Sequence, residues 1–317
     1  MDAVTLHDIV KTYDKGKIKA LDGVSFTVEE GELFGLIGPD GAGKTSIFRI
    51  LTTVLMADTG EASLSGWDVV KDYKQIRNEV GYMPGKFSLY QDLTVLENLT
   101  FFATVFGTTI DENYTIIRDI YEQIKPFNNR RAGKLSGGMK QKLALCCALI
   151  HKPKVLLLDE PTTGVDVVSR KEFWNMLKTL KKQGITILVS TPYMDEAMLC
   201  ERIALIQAGR IMQVDTPGNI IRSYPTKLYA VKSAAIYRLL LDLRANNTIE
   251  SCYAFGAFLH VTLKKHEEDG ELYLKSYAEE KGHKALQVEE IVPSIEDSFI
   301  RLMDERTGNK SQRSHIL

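Results

Sequence analysis

The sequence predicts an α/β core, a mostly parallel sheet covered by helices and interrupted by an inserted helical subdomain, with a small α+β domain behind it. Three observations carry this. Apolar runs alternate with helix-period segments from Val155 to Gln207, the pattern of a parallel sheet with helical crossovers. A glycine-rich string, Gly38-Pro39-Asp40-Gly41-Ala42-Gly43-Lys44-Thr45, joins an apolar run to a helical one. Beyond Pro225 the order becomes strand, helix, strand, strand, helix, strand, which suggests a ferredoxin-like module.

Val4–Ile9, Ser25–Val28 and Leu33–Ile37 read as strands, the third running into the glycine-rich string. Ile47, Ile50, Leu51 and Val54 recur at i, i+3, i+4 and i+7, so a helix opens at Lys44 with one buried face. From Val95 to His151 the pattern is helical and broken, as in an insertion. Met139, Leu143, Cys146, Cys147 and Ile150 share one helical face there, which sends both cysteines to the core. Val155–Leu158 is apolar without alternation, as in a strand buried on both faces. Helix Ser169–Gln183, strand Ile185–Ser190, helix Tyr193–Cys200 and strand Arg202–Gln207 follow.

Residues 1–224 form the expected first domain and 225–306 the second. In the latter, strand Lys227–Val231, helix Ala234–Leu243, strands Ile249–Ala254 and Phe258–Leu263, helix Leu272–Lys281 and strand Ala285–Val292 give the βαββαβ order. A last helix opens at Ser294, with Asp297 three residues on as in a capping box, and buries Ile295, Phe299, Leu302 and Met303. Residues 307–317 are polar and expected to be a disordered tail.

Composition excludes several classes. With 44% hydrophobic and 26% charged residues the chain is an ordinary globular one. A net charge of -1 gives no footprint for a nucleic-acid backbone, and Arg170, Lys171, Lys178, Lys181 and Lys182 read as one solvated helix face. No apolar run approaches the roughly 18 residues of a membrane span, and the start, MDAVTLHDIV, is no secretory signal. The Asn-x-Thr strings at Asn98, Asn113 and Asn246 are then chance matches, and the four cysteines read as reduced cytosolic thiols.

The chemistry sits in three strings. The first, Gly38 to Thr45, fits G-x-x-x-x-G-K-[ST]. Gly41 and Gly43 let successive N–H groups turn onto phosphates, Lys44 reaches the β- and γ-phosphates, and the Thr45 hydroxyl joins the Mg²⁺ shell. In the last, the Val155–Leu158 strand delivers Asp159 to the same Mg²⁺ and Glu160 to an attacking water. Between them, Leu135-Ser136-Gly137-Gly138-Met139 bares a helix N-terminus for an anion. One nucleotide needs one phosphate loop, so the second anion belongs to a nucleotide on another subunit. A plain Gly-Gly turn would not need Ser136.

These strings, with GYMPGKFSLYQDLTVLEN, AGKLSGGMKQKL, LLLDEPTTGVD and STPYMDEA, resemble the ATPase subunits of ABC exporters, specifically the nucleotide-binding domains of ABC-2-type multidrug exporters. The resemblance is dense over about residues 4–222, and IVPSIEDSFIRLM resembles the close of that group's C-terminal extension. It implies a RecA-like P-loop ATPase core with a helical subdomain, hydrolysing ATP with Mg²⁺ across a dimer seam. It further implies that Gly38, Pro39, Asp40, Gly41, Ala42, Gly43, Lys44, Thr45 and Ser46 hold ATP with Tyr13 on the adenine. Thr45 and Asp159 would hold Mg²⁺, Glu160 would be catalytic, Ser136, Gly137, Gly138 and Met139 would act in trans, and Asp166 would lie at the seam.

Two positions depart from the family pattern: Gly85 stands where a glutamine is expected, and Pro192 where a switch histidine is expected. None of His7, His151, His260, His266, His283 or His315 is near Pro192 in sequence. Asp40 adds a carboxylate to the phosphate loop, which repels the ligand unless it points away. The expected partners are an integral membrane ABC-2-type permease and a second ABC ATPase subunit, a heterodimer being favoured over a homodimer, with no nucleic acid. The apolar stretch Phe87, Leu89, Tyr90, Leu93, Val95, Leu96 is expected to receive the permease, holding the subunit at the cytoplasmic face. The alternatives are a slowly hydrolysing regulatory subunit and a soluble ribosome- or DNA-directed ABC protein. The second lacks support, because one cassette is present without heptads or basic excess.

Overall fold

The computed structural model of this 317-residue chain describes residues 1–86, 88–264 and 269–307. Phe87, His266, His315 and the tail beyond Thr307 lie outside the described residues. The chain divides into two compact units, Met1–Pro217 and the residues from Gly218 onward, where the sequence reading placed the change after Tyr224.

The first unit holds strands β1 (Asp2–Tyr13), β2 (Ile18–Glu29), β3 (Leu33–Ile37), β4 (Thr59–Leu64), β5 (Trp67–Asp68), β6 (Val80–Met83), β7 (Val155–Asp159), β8 (Thr186–Thr191), β9 (Arg202–Gln207) and β10 (Arg210–Asp215). Its helices are α1 (Lys44–Leu51), α2 (Tyr73–Glu79), α3 (Val95–Val105), α4 (Tyr114–Tyr121), α5 (Gly137–Leu149) and α6 (Val167–Lys182), and α7 (Pro217–Arg222) spans the break between units. Among the described residues the strands make two sheets rather than one. A six-stranded sheet runs β10-β9-β3-β8-β7-β6, with β10 antiparallel at its edge and the rest parallel. An antiparallel sheet runs β2-β1-β4-β5.

Strands β3, β7 and β8 are buried at every residue, because helices cover both faces of a parallel sheet. Helix α1 opens at Lys44 and buries Ile47, Ile50 and Leu51 as the spacing predicts. Val54 does not belong to that face and is exposed. The helix stops at Leu51, and Thr53 takes a left-handed φ of 61° that turns the chain away. Cys146 and Cys147 are buried in α5. Asn98 and Asn113 are buried too: the Asn98 amide donates to the carbonyls of Tyr90 and Thr94, and that of Asn113 to Ile150 O. The expected helix at Tyr193–Cys200 is a 3-10 segment, Met194–Leu199. No helix among the described residues is long and apolar enough to cross a membrane.

The second unit contains β11 (Leu228–Lys232), α8 (Ile236–Arg244), β12 (Ile249–Phe255), β13 (Phe258–Leu263), α9 (Gly270–Glu280), β14 (Gln287–Ile291) and α10 (Ile295–Thr307). Its antiparallel sheet has the order β12-β13-β11-β14, the ferredoxin-like arrangement of a split βαβ. Tyr229, Val231, Leu259, Val261 and Leu263 pack one face onto α8 and α9. Ser294 and Asp297 form the reciprocal capping bonds at the start of α10. Ile295 and Phe299 are buried, while Leu302 and Met303 are half-buried.

Candidate nucleotide site

Parallel strands bring their C-terminal ends to one edge, where open α/β sheets bind ligands. The register sets Met83 beside Leu158, Asp159 beside Ser190, and Ile37 beside Thr191. The glycine-rich string after β3, Gly85 after β6, Glu160 after β7 and Pro192 after β8 therefore emerge together.

The glycines of the string are required by backbone geometry. A Cβ on Gly38 would lie 2.2 Å from Ile206 O, and one on Gly43 2.6 Å from Ala20 O. Gly41 and Gly43 take φ of +76° and +106°, conformations open to glycine at no steric cost. Pro39 O accepts from Ala42 N at 3.2 Å, closing the loop onto α1. Lys44 is 3% exposed. Its Nζ donates to Gly38 O at 2.7 Å and Pro39 O at 3.0 Å, and pairs with Glu160 Oε1 at 3.0 Å. Asp40 and Thr45 are exposed. The end of β1 brings Tyr13 to the same place, its hydroxyl 3.1 Å from Ser46 Oγ.

Asp159 is 3% exposed and accepts from Ser190 Oγ at 2.8 Å. The next residue, Glu160, has φ of 51°, a position a non-glycine residue holds only when its surroundings fix it. Ser190 does so: the Glu160 N–H donates to Ser190 O at 3.1 Å and to its Oγ at 3.0 Å. Ser190 thus anchors both carboxylate residues, a role absent from the motif reading although the residue stands in STPYMDEA. Burial, and then the Asp159 charge, push the Tyr82 phenol up to about 12. Thr45 and Asp159 offer hydroxyl and carboxylate oxygen, the donors Mg²⁺ takes beside phosphates and water. Among the described residues no cluster of three His, Cys, Asp or Glu competes for a metal.

Gly85 borders this centre without reaching into it. A Cβ there would lie 3.0 Å from Asp159 O and 3.8 Å from Glu160 Cβ. The described histidines are engaged elsewhere. His151 stacks on Phe106 at 3.8 Å, His260 bonds Asp297, His283 bonds Asp242, and His7 lies beside Asp8.

Ser136 caps α5, accepting from Met139 N at 3.4 Å. A Cβ on Gly138 would lie 2.6 Å from Ser169 Oγ, and one on Gly137 3.8 Å from Gly164 O. The 136–139 string therefore packs on the first turn of α6, with Gly164 of the loop after β7 beside it, a neighbourhood the sequence does not reveal. Asp166 caps α6, and the Ser169 N–H and hydroxyl hold its carboxyl below the usual range. The adjoining Val167 and Val168 are exposed.

The apolar stretch before α3 is only partly a surface. Leu89 and Val95 are core residues, whereas Tyr90 and Leu96 are exposed, Tyr90 edge-on to Phe101 at 4.9 Å. Beside them a cavity of about 360 Å³ is lined by Tyr82, Gly85, Leu89, Phe102, Phe106 and His151 among others.

The ABC transporter family matches residues 21–163. The chain is 36% identical over 321 residues to the probable multidrug ABC transporter ATP-binding protein YbhF of Escherichia coli, covering 99% of this chain and 54% of that one. It thus spans about half of that relative's length. It is 40% identical over 223 residues to the Nod factor export ATP-binding protein I of Burkholderia thailandensis, covering 69% of this chain and 73% of that one. Among solved structures it resembles an ATP-binding cassette dimer in a post-hydrolysis state with ADP and Pi. That likeness has a TM-score of 0.61 and 26% identity, over 67% of this chain and 98% of that one.

Proposed function

The chain belongs to the ABC transporter ATP-binding proteins, and from that premise we propose that it binds and hydrolyses ATP as the energy-coupling subunit of an ABC-2-type export complex. The observation that carries the reading is the meeting of Lys44, Asp159 and Glu160 at one sheet edge, with Lys44 Nζ 3.0 Å from Glu160 Oε1. Residues 38–46 cradle the phosphates, with Tyr13 against the base. Thr45 and Asp159 hold Mg²⁺, which supplies neutralisation of phosphate charge. Glu160 accepts the proton of the attacking water. Ser136, Gly137, Gly138 and Met139 serve the site of a second ATPase subunit, and Asp166 with the exposed valines beside it lies at the seam.

Residues 1–224 act as the cassette and 225–306 as an accessory domain. A permease docks where Tyr90 and Leu96 are exposed, holding the subunit at the cytoplasmic face of the membrane. A second reading, a slowly hydrolysing regulatory subunit of the same complex, is favoured by Gly85 and Pro192, which stand where the family pattern has a glutamine and a histidine. Turnover separates the two. The purified chain is expected to hydrolyse ATP slowly at its own site and to lose that activity in Glu160→Gln. Unchanged turnover in that variant would favour the regulatory reading. Tyr90→Asp is expected to release the subunit from the permease on co-purification.

A further inference from the structure

Glu196 is 2% exposed. Its Oε2 accepts from Thr191 Oγ1 at 2.6 Å and from Thr162 Oγ1 at 3.1 Å. Its Oε1 meets the Arg170 guanidinium, Nε at 3.1 Å and Nη2 at 3.0 Å. Arg170 is itself fixed, its Cζ 4.1 Å from the Tyr193 ring centroid and its Nη2 3.4 Å from Asp195.

The donors belong to three different parts of the site. Thr191 ends β8, next to Pro192. Thr162 stands two residues after Glu160, in the loop that leaves β7. Arg170 lies one turn into α6, its N–H donating to the carbonyl of the cap residue Asp166 at 2.9 Å. A carboxylate taken out of water must recover its lost hydration, and packing alone would be served as well by an apolar side chain. Four donors converging on one buried group instead fix three segments relative to one another. We propose that Glu196 is a positioning residue that locks the Glu160 loop to the seam helix α6 and to the end of β8, so that closure at the seam sets the geometry of Glu160. The proposal rests on the reading of Glu160 as the base.

The test uses the full chain and hydrogen–deuterium exchange read by mass spectrometry, without nucleotide and with MgATP. Thr162→Val cuts one strand of the lock and leaves Glu196 with Arg170 and Thr191. It is expected to keep the MgATP affinity of the wild type and to melt only a few degrees lower, the order of one hydrogen bond. Exchange across residues 160–166 should rise about tenfold, the order of one lost hydrogen bond, while β7 and β8 stay protected. Turnover should fall with it, and Thr162→Ser should restore both. Adding Thr162→Val to Glu196→Gln should change little further, because the two act in one network. Unaltered exchange at 160–166 in Thr162→Val would overturn the proposal. So would a loosening in Glu196→Gln that spreads through β7 and β8 in step with a lowered melting temperature, the mark of a purely structural role. Exchange in the nucleotide-free chain judges the lock by itself. Failure of the ATP reading shows separately, as no MgATP protection of residues 38–46 in the wild type.

Discussion

Lys44 carries a buried ammonium balanced by two carbonyls and one carboxylate. Among the described residues Glu160 is the one carboxylate within ion-pair distance of it, so Glu160→Gln leaves the ammonium in excess. Glu160 is 22% exposed, so the loss should fall below the 3–5 kcal/mol of a fully buried pair, at about 1–3 kcal/mol. The nucleotide-free variant is expected to melt a few degrees lower. It should gain more from MgATP than the wild type does, since phosphate restores the missing charge; thermal shift with and without MgATP measures both. Turnover should drop by roughly 10²–10⁴ if Glu160 is the base, and Lys44→Ala should abolish binding. At position 85, a new Cβ would press on a backbone oxygen 3.0 Å away. Gly85→Gln is therefore expected to destabilise the chain by about 1 kcal/mol, in the range of mild overpacking, visible as a lower urea midpoint.

At the scale of elements, α10 shows how an ionisable cap holds a helix. Burial raises the Asp297 carboxyl, but hydrogen bonds from His260 and Ser294 outweigh it and hold the group below its usual value. A lowered folded value means that the stabilisation is complete above the unfolded carboxyl pKa, about 3.9, and is lost as pH falls through the folded one. Asp297→Asn is expected to cost about 1–2 kcal/mol at pH 7 and to flatten the acid limb of stability. Urea unfolding at neutral and acid pH checks this. This cap was legible in the sequence because its two partners are three residues apart, and β7 was legible because an unbroken apolar run has few other uses. Strands β4 to β6 and helix α2 were not. β4 alternates weakly and is half exposed, and its pairing with β1 joins residues far apart in the chain. Ser190 escaped notice for a similar reason: its value lies in reaching Asp159 from the neighbouring strand, which only the register reveals.

Over the whole molecule, every residue assigned to phosphate lies in the unit Met1–Pro217, and the second unit has its own hydrophobic core. A chain truncated after Tyr224 is thus expected to bind MgATP as the full chain does, and a folded truncation without binding would contradict the division of labour. The fold class and the three strings were readable because local motifs encode them; the packing of the 136–139 string on the start of α6 was not, since Gly138 meets Ser169 only in three dimensions. That packing bears on the final prediction. Ser136 and Gly137 are exposed, which leaves the string open to a site on another subunit if Asp166 lies at the seam. In a homodimer both sites would lack a glutamine at 85 and a histidine at 192, and both should be slow. Beside a second ATPase that retains those residues, Ser136, Gly137 and Gly138 would complete a fast site, while this chain's own site held ATP with little turnover. The purified chain alone is expected to bind MgATP and to turn it over well below about 1 s⁻¹, the low end of ordinary enzymes. Ser136→Arg removes the α5 cap and places a bulky cation where the partner's nucleotide would sit. It should silence the mixed complex while leaving MgATP binding by this chain unchanged. Brisk hydrolysis by the isolated chain, or a mixed complex indifferent to Ser136→Arg, would rule out the asymmetric arrangement.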